Sequence, residues 1–174
     1  ANLRVLVQHD TPRALEMLDH LNAYLRATLS ASRSTQHPLR AEFDRLRDYL
    51  ALMAIRMGPR LAYTLDLPDD LADHPVPTLL LQPLVENSIT HGLEPQVAGG
   101  HISVQARRVG ERLVLRVSDN GAGLQTHATP HSSGFGLAQV RERLATAYGA
   151  DGALELIAIP GGGTAACITF PLQK

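Results

Sequence analysis

Apolar positions along the chain fall by turns into stripes at helical spacing and runs at strand spacing. Residues Ala1 to Gln8 are short and apolar-rich, as at the end of a helix, and His9-Asp10-Thr11-Pro12 breaks them. Thr11 suits an N-cap, with Pro12 at the first helical position. From Pro12 to Leu29, Ala14, Leu15, Leu18, Leu21, Leu25 and Leu29 form one stripe and predict half of a helical hairpin, a unit that often pairs with a second copy. The polar, proline-ended stretch Ser30 to Pro38 reads as a linker. Leu39 to Met57 is again helical, with Phe43, Leu46, Leu50, Met53 and Met57 on its buried side and Gly58-Pro59 as its stop. Arg60 to Leu67 alternates like a strand, and Pro68-Asp69-Asp70 turns it.

The run LLLQPLVENSITHG, Leu79 to Gly92, predicts a central helix on which Leu80, Leu84 and Ile89, flanked by Leu81 and Val85, face a core. His101 to Arg108 and Arg112 to Asp119 alternate about Val109-Gly110-Glu111 and predict a hairpin. A weakly patterned stretch runs to Ser133. Gly134-Phe135-Gly136 then opens a helix from Leu137 to Tyr148, which Gly149 ends. Ala153 to Ile159 and Thr164 to Leu172 read as strands joined by Pro160-Gly161-Gly162-Gly163. Helices and strands mix without the strict alternation of a doubly wound sheet. The expected fold is therefore an α/β (α+β) two-layer sandwich, a mixed sheet covered by helices on one face. The helical hairpin occupies residues 1–35 and the mixed domain residues 36–174.

Composition narrows this picture. The chain has 174 residues, a formal net charge of −1 and 44% apolar residues, enough for one domain with a real core. The near-neutral balance argues against nucleic acid as the main partner. The lone cysteine, Cys167, lies in the strand-like run GTAACITF and reads as a small buried apolar residue. No apolar run is long enough to span a bilayer and no signal peptide is visible, so the expected location is cytoplasmic. The absence of an initiator Met suggests an excised piece of a longer protein. The eight histidines are scattered and not at metal-ligand spacing.

The chemistry sits in the central helix and the glycines. Glu86 and Asn87 fall at one edge of the apolar stripe, and His91 one turn later. They either cross-link local backbone or face a cavity holding a polar ligand. Asp119-Asn120-Gly121-Ala122-Gly123 follows a strand directly. Its glycines allow close backbone approach, and its carboxylate can accept from an exocyclic amine, but an ordinary turn has the same look. Gly134-Phe135-Gly136 before a helix suits an anion such as a phosphate, or simply a helix cap.

Together these elements resemble the ATP-binding domain shared by gyrase, Hsp90, histidine kinases and MutL, the Bergerat fold. Within it, LLLQPLVENSITHG, SDNGAGL and GFGLAQVRERL resemble sensor histidine kinases of the LytS type, as do FDRLRDYLALMAIRMGPRL and the lead-in VPTLLLQPLVEN. The resemblance covers about residues 39 to 172 and extends to the first long helix. It implies ATP and Mg²⁺ as ligands, with Asn87 holding the metal that bridges the phosphates and Glu86 either ordering the metal's waters or serving structure. It places His91 near the phosphates and makes Asp119 the acceptor of the adenine amino group. Gly121 and Gly123 then shape the base pocket, residues Ala122 to Ser133 form a lid, and Gly134, Phe135, Gly136 and Leu137 set a helix start at the phosphates. Thr164 resembles the late threonine that supports the adenine-binding Asp. The implied activity is transfer of the γ-phosphoryl to a histidine, for relay to a response-regulator aspartate, with LytTR-type regulators as expected partners and a homodimeric parent.

Two departures qualify it. Relatives commonly carry Lys or Arg three residues after the Asn, where this chain has Thr90; Arg141 and Arg143 either replace that charge or form a solvated helix face. The acceptor pattern His-Phe-x-Phe-Asn is absent: His9 sits at a break and His20 lacks flanking phenylalanines. Residues 1–35 therefore read as the remnant of a dimerisation and phosphoacceptor hairpin, unable to autophosphorylate. Alternatives are a nucleotide-gated interaction module, suggested by Thr90, a protein-serine kinase of the anti-sigma type, and a Bergerat-fold ATPase. Against the last stands Pro83, which occupies the position, one turn before Asn87, where hydrolysing relatives hold a water-activating carboxylate.

Overall fold

The computed structural model of the chain describes residues 3–31, 35–123 and 134–172. Helix α1 (Leu3–His9) and helix α2 (Thr11–Ala31) lead to a short strand β1 (Gln36–Pro38) and helix α3 (Leu39–Met57). Strands β2 (Leu61–Asp66) and β3 (Pro75–Pro77) precede helix α4 (Gln82–Asn87). Strands β4 (Gly100–Val109) and β5 (Arg112–Asp119), helix α5 (Gly134–Tyr148), and strands β6 (Ala153–Ala158) and β7 (Thr164–Pro171) complete the chain.

The main sheet has the order β2-β4-β5-β7-β6, parallel only where β2 meets β4. This is the expected mixed sheet. Its inner face is built by alternation: Ile102, Val104 and Ala106 on β4, Leu113, Leu115 and Val117 on β5, and Ala166, Ile168 and Phe170 on β7 are all buried. Onto it pack Leu39, Phe43, Leu46, Leu50 and Met53 of α3, Leu84 and Val85 of α4, and Val140 and Leu144 of α5. The opposite face takes the intervening residues. Cys167 is among them, half-buried and paired across the strands with Arg116 and Glu155, so it is not the core residue its run suggests.

Phe170 is fully buried and stacks on Tyr148, with ring centroids 4.4 Å apart and planes 14° from parallel. Phe170→Ala is expected to cost about 3–5 kcal/mol of stability, read from the midpoint of urea unfolding.

Helix α3 keeps its predicted bounds, because Pro38 starts it and Gly58, with φ at 63°, stops it. Other elements depart from expectation. The linker contains β1, which pairs antiparallel with β3, Gln36 opposite Pro77 and Pro38 opposite Pro75. The apolar stripe of α2 is not buried as a whole. Ala14 is buried and Leu21 packs on the main core, whereas Leu15, Leu18 and Leu25 are exposed. Helix α2 has apolar residues on two sides and covers α3 with one of them. No helix among the described residues is long and apolar enough to cross a membrane.

Candidate functional site

The run from Leu79 to Gly92 is not one helix. Thr78 to Leu81 form turns, and α4 begins only at Gln82, with Pro83 in its first turn. After Asn87 the coil widens into a π-helical segment, Ser88–Leu93, in which Glu94 N–H reaches back five residues to the carbonyl of Ile89 at 2.8 Å. Such widening re-aims side chains and recurs at functional positions.

The reason for the wide turn lies at the end of β5. Asp119 is buried, with 4% of its surface exposed. Its Oδ1 accepts a hydrogen bond from Gly121 N–H at 3.0 Å. Gly92 rests against this carboxylate: a Cβ at Gly92 would lie 2.8 Å from Asp119 Oδ1. A Cβ at Gly121 would lie 2.2 Å from the Gly92 carbonyl oxygen, which accepts from Ala122 N–H at 3.0 Å. From the other side, a Cβ at Gly163 would meet the Asp119 carbonyl at 2.0 Å. Glycine is thus required at three positions around the end of β5, because backbone from three segments converges there. Asn120 turns away and accepts from His101 N–H at 2.7 Å. The register that sets Ser118 opposite Ala165 brings Thr164, half-buried, beside the end of β5.

Glu86 and Asn87 are half-buried on the last turn of α4, while Thr90 and His91 are exposed on the π segment. Gln82 Nε2 donates to Glu86 Oε1 at 2.7 Å. Tyr49 of α3 is pushed up to about 12, chiefly by burial and next by the charge of Glu86. Glu86 therefore lies on the α3 side of α4. Gly134, Phe135, Gly136 and Leu137 form the first turn of α5 rather than the loop before it. Gly136 faces Pro83, where a Cβ would make a contact of 3.3 Å, so α5 starts alongside α4. Gly123 has φ at 79° and lies next to Gly163. Most of the expected lid, residues 124–133, lies outside the described residues. Arg141 is exposed. Arg143 forms no solvated face: its guanidinium donates to the Leu79 carbonyl at 2.7 Å.

The structure therefore gathers Gly92, Asp119, Gly121, Gly123 and Gly163 around one end of the sheet, places Asn87 at the end of α4 ahead of the π segment that carries Gly92, and sets the first turn of α5 against α4. A buried carboxylate can accept from an amine at one end of this site, and oxygen and amide groups can meet an anion or a hard cation at the other. Sequence reading missed Gly92, which rests on the Asp119 carboxylate, Gly163, which meets its main-chain carbonyl, and Glu42 of α3.

Residues 72–174 match the family described as histidine kinase-, DNA gyrase B- and HSP90-like ATPase, and residues 1–61 match the histidine kinase family. The chain is 29% identical over 169 residues to the sensor histidine kinase BtsS of Escherichia coli, covering 97% of this chain and 30% of that protein. It is 25% identical over 182 residues to the sensor protein LytS of Enterococcus faecalis, covering 99% of this chain and 31% of that protein. The chain thus spans under a third of the length of these relatives. Among solved structures it resembles the histidine kinase domain of the blue-light activated kinase EL346 of Erythrobacter litoralis, with a TM-score of 0.61 and 17% identity, covering 98% of this chain and 84% of that one.

Proposed function

We propose, from the premise that this chain belongs to the histidine kinase-, DNA gyrase B- and HSP90-like ATPase family, that its ATP site runs from Asp119 to the facing ends of α4 and α5. Adenine lies against Asp119, whose carboxylate accepts from the exocyclic amine. The phosphates lie toward Asn87, His91 and the Gly134–Leu137 turn. The observation that carries this reading is the buried Asp119 carboxylate with Gly92 against it, at a strand end where Gly121 and Gly163 also allow close backbone approach. Thr164, beside that strand end, supports Asp119.

Asn87 offers a hard amide oxygen, which suits Mg²⁺. When bound, Mg²⁺ neutralises charge on the transferring phosphoryl group. The chain's own part is to bind, orient and keep water inactive. Of the two roles open to Glu86, the bond from Gln82 and the neighbouring Tyr49 favour the structural one. Pro83 cannot activate water, so hydrolysis is slow and the γ-phosphoryl is kept for an imidazole nucleophile. The phosphohistidine is relayed to a response-regulator aspartate, as for regulators of the LytTR type. The exposed Leu15, Leu18 and Leu25 support a helical hairpin that dimerises in the intact parent.

Mass spectrometry under non-acidic conditions, after incubation with ATP and Mg²⁺, tests the reaction. The full-length gene product is expected to carry acid-labile phosphohistidine, and residues 1–174 alone none on His9 or His20. Phosphoserine as the sole product would contradict the reading. Asn87→Ala is expected to abolish the labelling and to remove the gain in ATP affinity that Mg²⁺ provides, roughly tenfold, in calorimetric titration. A second reading follows from the exposed Thr90, which leaves one phosphate-directed charge absent. It makes the chain an interaction module that binds nucleotide without transferring it, and it predicts ATP binding without phosphohistidine in the full-length product.

A further inference from the structure

Leu79 has φ at 59°, the one non-glycine residue with positive φ among the described residues. That region is unfavourable for leucine and persists where neighbours hold it in place. Both of its peptide groups are held here. Glu42 Oε1 of α3 accepts from Leu79 N–H at 2.8 Å, and Arg143 of α5 donates to the Leu79 carbonyl at 2.7 Å. Glu42 Oε2 accepts from Leu81 N–H at 2.9 Å, immediately ahead of α4. Glu42 is 1% exposed, and its Oε1 also meets Arg45 and His37 Nε2 at 2.8 Å each. Burial alone would raise its pKa. Contacts from His37, Leu81 and Arg45 outweigh that and hold it below the ordinary 4.5, so the group is a carboxylate at neutral pH.

These contacts join four elements at one strained residue. His37 belongs to β1, which follows α2 and pairs with β3. Glu42 belongs to α3, Leu79 and Leu81 lead into α4, and Arg143 belongs to α5. Where α4 begins decides where its last residue, Asn87, is placed. A carboxylate 1% exposed and ringed by Leu79, Leu81, Arg45 and His37 is out of reach of substrate, so its effect on the site must pass through α4.

We propose that Glu42 is a positioning residue for the nucleotide site: it fixes the start of α4, and hence Asn87, and is held in turn by His37 of the segment that follows the helical hairpin. The proposal rests on the reading of Asn87 as the metal-binding residue. In Glu42→Gln one acceptor oxygen becomes an NH₂ group. Whichever way the amide turns, a donor then faces Leu81 N–H or the cluster of Leu79, Arg45 and His37. The start of α4 loses its anchor, while β5 and Asp119 are untouched.

The test is calorimetric titration of the chain with ATP, in EDTA and again with Mg²⁺. For Glu42→Gln, affinity in EDTA is expected within about threefold of the unsubstituted chain, and the gain from Mg²⁺ to fall about tenfold, as in Asn87→Ala. Equal loss in both conditions would show a role in stability alone and overturn the proposal, as would an intact Mg²⁺ gain. Should Glu42→Gln not fold, His37→Ala, which leaves Arg45 and both backbone bonds in place, decides the matter. It is expected to lower the Mg²⁺ gain about threefold, with recovery in His37→Gln, whose amide can donate to Glu42. An unchanged gain in His37→Ala would overturn the proposal. An unsubstituted chain with no Mg²⁺ gain at all would instead remove the reading of Asn87, and this proposal with it.

Discussion

Asp119→Ala is expected to weaken ATP binding roughly 100-fold while the chain stays folded. The carboxylate proposed to meet the base is 4% exposed. A hydrogen bond from the adenine amine to a buried carboxylate is charge-assisted and shielded from water, so its loss sits at the upper end of hydrogen-bond values, about 2–3 kcal/mol. Removing it also leaves Gly121 N–H without its acceptor at 3.0 Å, a cost of about 1 kcal/mol. Relief from burying a charge offsets part of that, so the shift in the urea midpoint is small beside the loss of affinity. Paired calorimetry and urea unfolding check both halves. A fall in binding matched by a collapse in stability would assign Asp119 to the fold rather than to the base.

Gly121→Ala is expected to do more damage by a different route. The added Cβ would lie 2.2 Å from the Gly92 carbonyl oxygen, 2.4 Å from its carbon and 2.6 Å from its Cα. All three are backbone atoms, so no side chain can swing aside. The π segment must move away from the end of β5, which breaks the Ala122 bond to Gly92 and shifts Asn87 relative to Asp119. The expected cost is about 3 kcal/mol in stability, with ATP binding lost altogether. Gly110→Ala is the control. Gly110 has φ at 61° and nothing within 4 Å of its would-be Cβ, so the substitution costs about 1 kcal/mol of turn strain and leaves ATP affinity unchanged. Binding retained in Gly121→Ala would mean that the contact between the π segment and β5 is not part of the site.

Local signals account for what was legible in the sequence. Helix α3 carries its own start and stop in Pro38 and Gly58, and β4 and β5 carry alternation about Gly110, so their bounds could be read to within a residue. The break before α4 could not. Its cause, Glu42, stands 37 positions from Leu79 in the chain and acts through side-chain bonds to backbone. A signal existed nonetheless, since Glu42 shares helical spacing with Leu39, Phe43 and Leu46, and a carboxylate on an apolar stripe needs buried donors. The π widening answers to the fit of Gly92 against Asp119, a tertiary contact with no local pattern. Strands β1 and β3 have three residues each and include prolines, too short for alternation to show. On α2 the stripe was drawn too broad, because apolar residues lie both on the side facing α3 and on an exposed side, and periodicity does not say which neighbour covers which.

The proposed nucleotide-site residues Asp119, Gly121, Gly123, Asn87 and Gly134 were visible as motifs, yet the convergence of Gly92, Gly121 and Gly163 on Asp119 was not, because it depends on where three separate segments meet β5. The measurement that addresses this convergence most directly is calorimetric titration of the chain with ATP and, separately, with GTP, each in the presence of Mg²⁺. Adenine presents an amine to Asp119, whereas guanine presents a carbonyl oxygen in its place, which a buried carboxylate repels. The account predicts saturable one-to-one binding of ATP and GTP binding weaker by at least about 100-fold. Equal affinity for the two nucleotides, or no heat with ATP, would contradict it.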